Sequence, residues 1–155
     1  MTMVDNAVYV DGRRTDNPKY LDETHEVMKD RGGMAWIGLC RPDLEEIRSV
    51  TDPFRLHELA VANDLSGQQR SKLERYVHRL FTVLRPARYL DDAKKVEFGE
   101  LHVFVGPDYE VTVGHAHAPS LAKVRPGHGA AHLQALQGSH RVPRGHAHSR
   151  PCSRP

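Results

Sequence analysis

The sequence predicts an α/β domain in which helices pack against a mixed β-sheet. Its 155 residues are enough for one domain with a hydrophobic core and rarely for two. Apolar residues recur at helical spacing in some segments and alternate at strand spacing in others. The predicted order is strand, helix, strand, helix, helix and then three strands, which indicates a mixed sheet with helices packed on it.

The first two elements are a strand and a helix. The strand is predicted at 4–10, and Asp11-Gly12 closes it with residues typical of turns. Asn17-Pro18 opens the helix, and Gly32-Gly33 ends it. The predicted buried face of this helix consists of Leu21, Thr24, His25 and Met28.

A second strand and helix follow. The apolar run at 34–39 predicts a buried strand. Pro42 stands in the predicted first turn of the next helix, and Asp52-Pro53 is expected to stop it. The buried face of this helix is predicted to be Leu44, Ile47 and Val50.

The stretch 54–89 is the densest in residues that specify local structure. It predicts a short apolar helix at 57–65 and a polar turn at 66–70. A charged segment of helix or strand then carries Lys72, Glu74 and Arg75, and a buried strand follows at 80–84. The charged segment is interpreted as a subunit interface, a fixed polar network or a solvated face.

The last part of the domain is predicted to be strand-rich. Asp91-Asp92 forms a turn, and one long strand runs over 96–105 with a bulge at Gly99. Gly106-Pro107-Asp108 turns the chain into a final strand at 109–113, and a helix is predicted at 120–125. Glu97 and Glu100 are predicted to lie on a strand near Lys94 and Lys95, and cross-strand pairing is the interpretation of both glutamates.

Residues 126–155 differ in composition from everything before them. They contain no Phe, Tyr or Trp, and every acidic residue of the chain lies at or before Glu110. Such a segment cannot bury enough apolar surface to offset its chain entropy. The predicted division is therefore a folded domain at 1–125 and a disordered, basic tail at 126–155.

Histidines near the end of the chain could bind a transition metal ion. His115 and His117 are two residues apart, and the tail adds five histidines and Cys152. Their spacing matches no structural zinc motif, so adventitious metal binding is the favoured interpretation. The six basic residues after Val111, with no aromatic residue for base stacking, do not favour nucleic-acid binding.

Several function classes lack a signal in the sequence. No signal peptide precedes the first strand, and no uninterrupted apolar run reaches the roughly 18 residues of a spanning helix. We therefore expect this chain alone to be soluble and cytoplasmic. There is no phosphate-binding glycine loop, nucleophile elbow or defensible carboxylate pair, so no enzyme is expected and no catalytic or cofactor-binding residue is assigned.

Six collinear segments carry a resemblance to a known family. Over residues 4–125 the chain is similar to the cytoplasmic amino-terminal domain of the CorA magnesium and cobalt transport proteins, particularly the actinobacterial branch. The segments are VDNAVYVDG from Val4, GGMAWIGLCRPDLEEI from Gly32, LHELAV from Leu56, QQRSKLERY from Gln68, LFTVLRPARY from Leu80 and VEFGELHVFVG from Val96.

The resemblance implies a three-layer αβα domain on the cytoplasmic side of the plasma membrane, in a homopentamer. It also implies regulation by Mg²⁺, or by Co²⁺, bound between neighbouring subunits, with Asp64 as this chain's half of the metal site. The alternative interpretation of Asp64 is a helix-ending residue whose side chain turns the backbone. Asn63 and Ser71 depart from the residues usual in the family, and the stalk and membrane helices are not matched.

Two hypotheses follow from the resemblance. In the first, the chain is the regulatory domain of a CorA-like transporter, truncated before the stalk by a shifted reading frame and unable to form the pore. In the second, it is a stand-alone protein that binds divalent cations and associates with itself or with full-length subunits.

Overall fold

The computed structural model describes residues 3–56 and 69–115. These residues form two helices and nine strands. In chain order they are β1 Met3–Val10, β2 Arg13–Asp16, α1 Leu21–Arg31, β3 Met34–Cys40, α2 Leu44–Phe54, β4 Lys72–Tyr76, β5 Arg79–Leu84, β6 Ala87–Leu90, β7 Lys95–Phe98, β8 Leu101–Val105 and β9 Tyr109–Gly114.

Seven of the strands form one mixed sheet. Its order is β2-β1-β3-β9-β8-β5-β4, while β6 and β7 pair separately as a two-stranded sheet. Every pairing in the large sheet is antiparallel except that of β3 with β9, where Ile37 lies beside Val111. The predicted α/β class with a mixed sheet is therefore confirmed.

The first hairpin shows how local sequence sets the strand pairing. Asp11 and Gly12 both have positive φ, 49° and 72°, as a two-residue turn between twisted antiparallel strands requires. The predicted turn is confirmed. Strand β2 was not predicted, because its residues RRTD carry no apolar alternation and are mostly exposed.

Helix α1 has a recognisable signal at its end, and helix α2 has one at its start. Helix α1 buries Thr24 and Met28, as predicted, and ends at Gly32, whose φ of 61° suits a residue without a Cβ. Helix α2 begins with a capping box in which Asp43 accepts from the Glu46 backbone N–H and Glu46 accepts from that of Asp43.

The prediction that Asp52-Pro53 stops the second helix is wrong. The helix continues through Pro53 to Phe54 and ends at Arg55, which has a φ of 48°. Phe54 is buried and its ring packs on that of Tyr109, with centroids 5.5 Å apart. Packing of this aromatic residue is consistent with the helix continuing one residue beyond Pro53. Pro42 also lies one residue before the cap rather than inside the first turn.

The predicted long strand over 96–105 is two strands in different sheets. Strand β7 pairs with β6, whereas β8 pairs with β5 and β9. The chain leaves one sheet for the other at Gly99, whose N–H donates to the Pro86 carbonyl at 2.7 Å. Gly99 is therefore a point of exchange between two sheets and not a bulge within one strand.

The hydrophobic core lies between the helices and one face of the large sheet. Side chains from α2 and from five strands meet there, and Val8, Ile37, Phe81 and Val111 have at most 1% of their surface exposed. The opposite face is also buried at Ala7, Trp36, Leu101 and Val103. Burial on both faces explains why β3 is a continuous apolar run.

Several predicted segments fall outside the described residues. They are the helix at 57–65, most of the turn at 66–70, the helix at 120–125 and the tail at 126–155. The second helical layer of the predicted αβα arrangement depends on such segments and stays a prediction. The charged segment at 72–75 belongs to a strand, β4, and the buried strand at 80–84 is confirmed as part of β5. None of the helices in the described ranges is long and apolar enough to cross a membrane.

Candidate functional site

A cluster of one carboxylate and two imidazoles lies where strands β8 and β9 meet. Glu100 directly precedes β8, His102 is its second residue, and His115 directly follows β9. Because Leu101 pairs with Gly114, Glu100 and His115 stand at the next position of the same antiparallel ladder. The backbone N–H of His115 donates to the Glu100 carbonyl at 2.9 Å and fixes this register.

The side chains of the cluster point the same way. Glu100 and His102 are two residues apart, so an extended chain places both on one face. The Oε1 atom of Glu100 lies 2.8 Å from Nε2 of His102. The rings of His102 and His115 meet edge to face with their centroids 4.5 Å apart. One ligand atom from each of the three residues lies within 4.8 Å of the others.

The cluster is largely removed from solvent. His102 has no exposed surface and Glu100 has 6%, while His115 is half-buried and forms the outer side. The Phe81 ring packs against His102 with centroids 5.5 Å apart. Phe81 covers one side of the His102 ring, and His115 lies on the other side. Of the three cluster residues, His115 is therefore the one nearest to water.

Arg85 completes the cluster by balancing its negative charge. It directly follows β5, whose last residue, Leu84, pairs with Leu101, so Arg85 lies opposite Glu100. Its Nη1 atom donates to Oε2 of Glu100 at 3.1 Å and to the Gln69 carbonyl at 2.9 Å. The two oxygens of Glu100 thus face different partners, His102 and Arg85.

Both glutamates pair with a residue of a neighbouring strand or strand end, as interpreted, but their surroundings differ. Glu97 does pair across the strands β6 and β7, with Arg88 at 3.2 Å, and also contacts Lys95 at 3.4 Å. Glu100 instead turns into the protein, where its partners are His102 and Arg85 and not the lysines at 94 and 95. The two glutamates have different surroundings because the chain passes from the small sheet to the large sheet at Gly99.

His102 is the residue of the cluster that sequence reasoning did not single out. Its signal was present in the Glu-x-His pattern at the start of a strand whose other residues are apolar. An imidazole and a carboxylate at alternate positions of a buried strand need partners in the interior. The predicted turn at 106–108 also brings His115 alongside them.

The charged segment of β4 forms a polar network at the edge of the sheet. Lys72 donates to Glu74 at 3.1 Å, and the Tyr76 hydroxyl donates to the same carboxylate at 2.5 Å. The Tyr76 hydrogen bond, followed by that of Lys72, lowers the pKa of Glu74 below its usual value. Of the interpretations considered for this segment, the contacts favour the fixed polar network.

Asp64, the predicted metal ligand, lies outside the described residues, as do His117 and the histidines of the tail. Their roles stay predictions. Within the described ranges, Glu100, His102 and His115 are the group whose ligand atoms are close enough to hold a cation together. Two of these three donors are nitrogens, whereas Mg²⁺ prefers oxygen ligands, so this cluster does not fit Mg²⁺.

Comparison with known proteins identifies related sequences. The model of the family described as "CorA-like Mg2+ transporter protein" matches residues 31–134. The Bacillus subtilis (strain 168) protein named "Putative metal ion transporter YfjQ" is 29% identical over 90 residues, which are 58% of this chain and 27% of that protein.

Two solved structures share the fold. The cytoplasmic domain of ZntB from Vibrio parahaemolyticus RIMD 2210633 superposes with a TM-score of 0.59 and 13% identity, over 88% of this chain and 55% of that one. The full-length CmaX protein superposes with a TM-score of 0.58 and 17% identity, over 83% of this chain and 39% of that one.

These relatives are longer than the matched region. The chain spans about a quarter of the Bacillus subtilis protein and about half or less of the two structures. The family match nevertheless covers well over half of this chain. The chain therefore belongs to the family of CorA-like Mg²⁺ transporter proteins.

Proposed function

We propose that this chain is a cytoplasmic regulatory domain of a CorA-type divalent metal ion transporter. The observation that carries the proposal is the family match over residues 31–134, which includes β3 and every later described strand. In this proposal the chain senses a divalent cation and does not itself form the pore. It acts on the cytoplasmic side of the membrane.

The proposed regulatory ion is Mg²⁺, with Co²⁺ as the alternative, and the proposed ligand is Asp64. A single carboxylate holds Mg²⁺ poorly, because the ion prefers octahedral oxygen coordination and keeps several waters. Asp64 would therefore contribute one part of a site that a neighbouring subunit completes. The proposed neighbour is a second copy of this chain or a full-length CorA-like subunit, in a pentameric assembly.

The test is a thermal unfolding titration with Mg²⁺ on the wild type, on Asp64→Ala and on Asp91→Ala. A cation that binds only the folded protein must raise its melting temperature. We expect millimolar Mg²⁺ to stabilise the wild type, and to stabilise Asp64→Ala less. Asp91 is exposed in a turn, so Asp91→Ala controls for the loss of a negative charge.

The same titration can reject the proposal. If millimolar Mg²⁺ leaves the melting temperature of the wild type unchanged, this chain alone does not bind the ion. Repeating the titration with a purified full-length relative present would then separate two cases. A shift that appears only in the mixture supports a site shared between subunits, and no shift in either sample excludes cation sensing by this domain.

A further inference from the structure

We propose that Glu100, His102 and His115 form a binding site for a transition metal ion, with Zn²⁺ as the expected occupant. The inference goes beyond the Mg²⁺ proposal, since it uses different residues and different donor chemistry. It rests on the positions of three side chains in the described part of the protein.

The donor set selects the class of ion. One carboxylate oxygen and two imidazole nitrogens suit Zn²⁺, whereas an ion that prefers six oxygen ligands is poorly served by them. The three donors lie within 4.8 Å of one another, and Zn²⁺ bonds of about 2.1 Å in a tetrahedral arrangement need donors about 3.4 Å apart. Modest side-chain movement closes this difference.

The surroundings orient the ligands as metal sites require. Ligating carboxylates are usually held by an outer hydrogen bond, and Arg85 supplies one to Oε2 of Glu100 at 3.1 Å. The Oε1 atom, which faces His102, is then the oxygen positioned to coordinate. Backbone pairing of β8 with β9, including the His115 to Glu100 hydrogen bond, holds the three residues in register.

The outer side of the cluster gives an ion a way in. His115 is half-buried, whereas His102 and Glu100 are almost fully enclosed. Three protein ligands leave the fourth tetrahedral position for water, which is typical of sites that exchange a ligand and not of closed structural sites. We therefore expect reversible Zn²⁺ binding that the domain does not need for folding.

The experiment measures Zn²⁺ affinity of the full chain by calorimetry, with Co²⁺ absorption in the visible range as a report of the ligand geometry. The main variant is His115→Gln, because its half-buried position makes misfolding least expected. Glu100→Gln is the second variant and keeps the volume of the buried side chain. Far-UV circular dichroism confirms that each variant is folded.

Two control variants separate the cluster from other histidines. His78→Gln removes a surface histidine of the β4–β5 turn. A second control replaces the five histidines after residue 126, which are His128, His132, His140, His146 and His148. We expect His115→Gln to weaken the tightest Zn²⁺ site at least tenfold and both controls to leave it unchanged.

The outcomes that overturn the proposal are equally specific. Unchanged Zn²⁺ affinity in both folded cluster variants would exclude the site, as would loss of tight binding in the tail control alone. Displacement of Zn²⁺ by a tenfold excess of Mg²⁺ would contradict the selectivity argued here. Asp64→Ala should leave Zn²⁺ binding intact, so failure of the Mg²⁺ proposal and failure of this one are distinguishable.

Discussion

Asn6 and Thr24 form a buried polar pair that fixes the first helix against the sheet. The Thr24 hydroxyl donates to the Asn6 side-chain oxygen at 2.8 Å, and the Asn6 amide donates to the Pro18 carbonyl at 3.1 Å. Thr24 has no exposed surface and Asn6 has 6%. A buried polar atom that loses its partner retains its desolvation cost, so each half of this pair depends on the other.

Replacing the Thr24 hydroxyl with a methyl group tests this dependence. Thr24→Val keeps the side-chain shape but leaves the Asn6 oxygen without its donor. We expect the free energy of unfolding to fall by about 1–3 kcal/mol, measured by urea denaturation. The comparison variant is Thr15→Val, on an exposed residue whose hydroxyl donates to the Val8 carbonyl at 3.3 Å, and it should lower stability less than Thr24→Val does. Equal effects in the two variants would contradict the assignment.

For single residues, the sequence predicted burial but not the partners of the buried groups. Thr24 was predicted on the buried helical face, and this prediction is confirmed. Its partner could not be predicted, because Asn6 lies 18 residues away and nothing in the local pattern marks an asparagine as buried. The partners of Glu100 could not be predicted for the same reason, since Arg85 lies 15 residues away in the sequence.

The turn between β4 and β5 carries a residue that the backbone does not suit. Tyr76 pairs with Arg79, so the turn consists of Val77 and His78. Val77 has a φ of 53° and is 83% exposed. A β-branched side chain at positive φ is strained, and turns with positive φ at the first of two residues favour glycine there.

Val77→Gly is therefore expected to stabilise the protein. Relief of strain is worth about 1–3 kcal/mol and the entropy of the extra glycine in the unfolded chain offsets about 0.5–1 kcal/mol. The net gain should appear as a higher melting temperature. Val77→Ala keeps the Cβ atom and should gain less. A glycine variant that melts below both the wild type and the alanine variant would show that the turn is not strained.

Elements were predicted where a local pattern encodes them. The helix α1 and the strands β1, β3, β5 and β9 follow from apolar periodicity bounded by turn residues. The division of 96–105 into β7 and β8 was missed, because the apolar alternation shifts by one residue at Gly99, and a bulge within one strand also explains such a shift. Strand pairing over distance, and not propensity, decides where such a strand ends.

Two buried tyrosines make the stability of the whole molecule sensitive to alkaline pH. Burial raises the pKa of Tyr9 and of Tyr109 above 10.0, against the opposing effects of Arg14 and Arg79 respectively. Below the pKa of an unfolded tyrosine, both states keep the proton and the contribution to stability is complete. As pH rises towards the higher folded pKa, only the unfolded state loses the proton, so stability falls.

Tyr109→Phe should reduce this alkaline loss. The variant cannot ionise at position 109, so its free energy of unfolding should decline less steeply than that of the wild type above about pH 10. Urea denaturation at a series of pH values measures the slopes. Tyr20→Phe, at an exposed tyrosine, is the control for removal of a phenol hydroxyl. Identical slopes in the wild type and Tyr109→Phe would assign the alkaline sensitivity to other groups.

The arrangement of the whole sheet was beyond local sequence reasoning. Its class followed from the order of elements, but the strand order did not, because β3 and β9 pair across 74 residues with no signal in either strand. The candidate metal cluster was partly predictable, unlike the strand order. Its histidines flank a turn that was predicted correctly, so pairing 101–105 with 109–114 in sequence would have placed them together.

The parallel pairing of β3 with β9 has a consequence for the synthesis of the chain. Strand β3 is apolar and lies between β1 and β9, yet Ile37 leaves the ribosome 74 residues before its neighbour Val111. If the ribosome adds about 5–20 residues per second, β9 is synthesised about 4–15 seconds after β3. During that interval the nascent chain presents an unpaired apolar strand edge, which is a template for association with another chain.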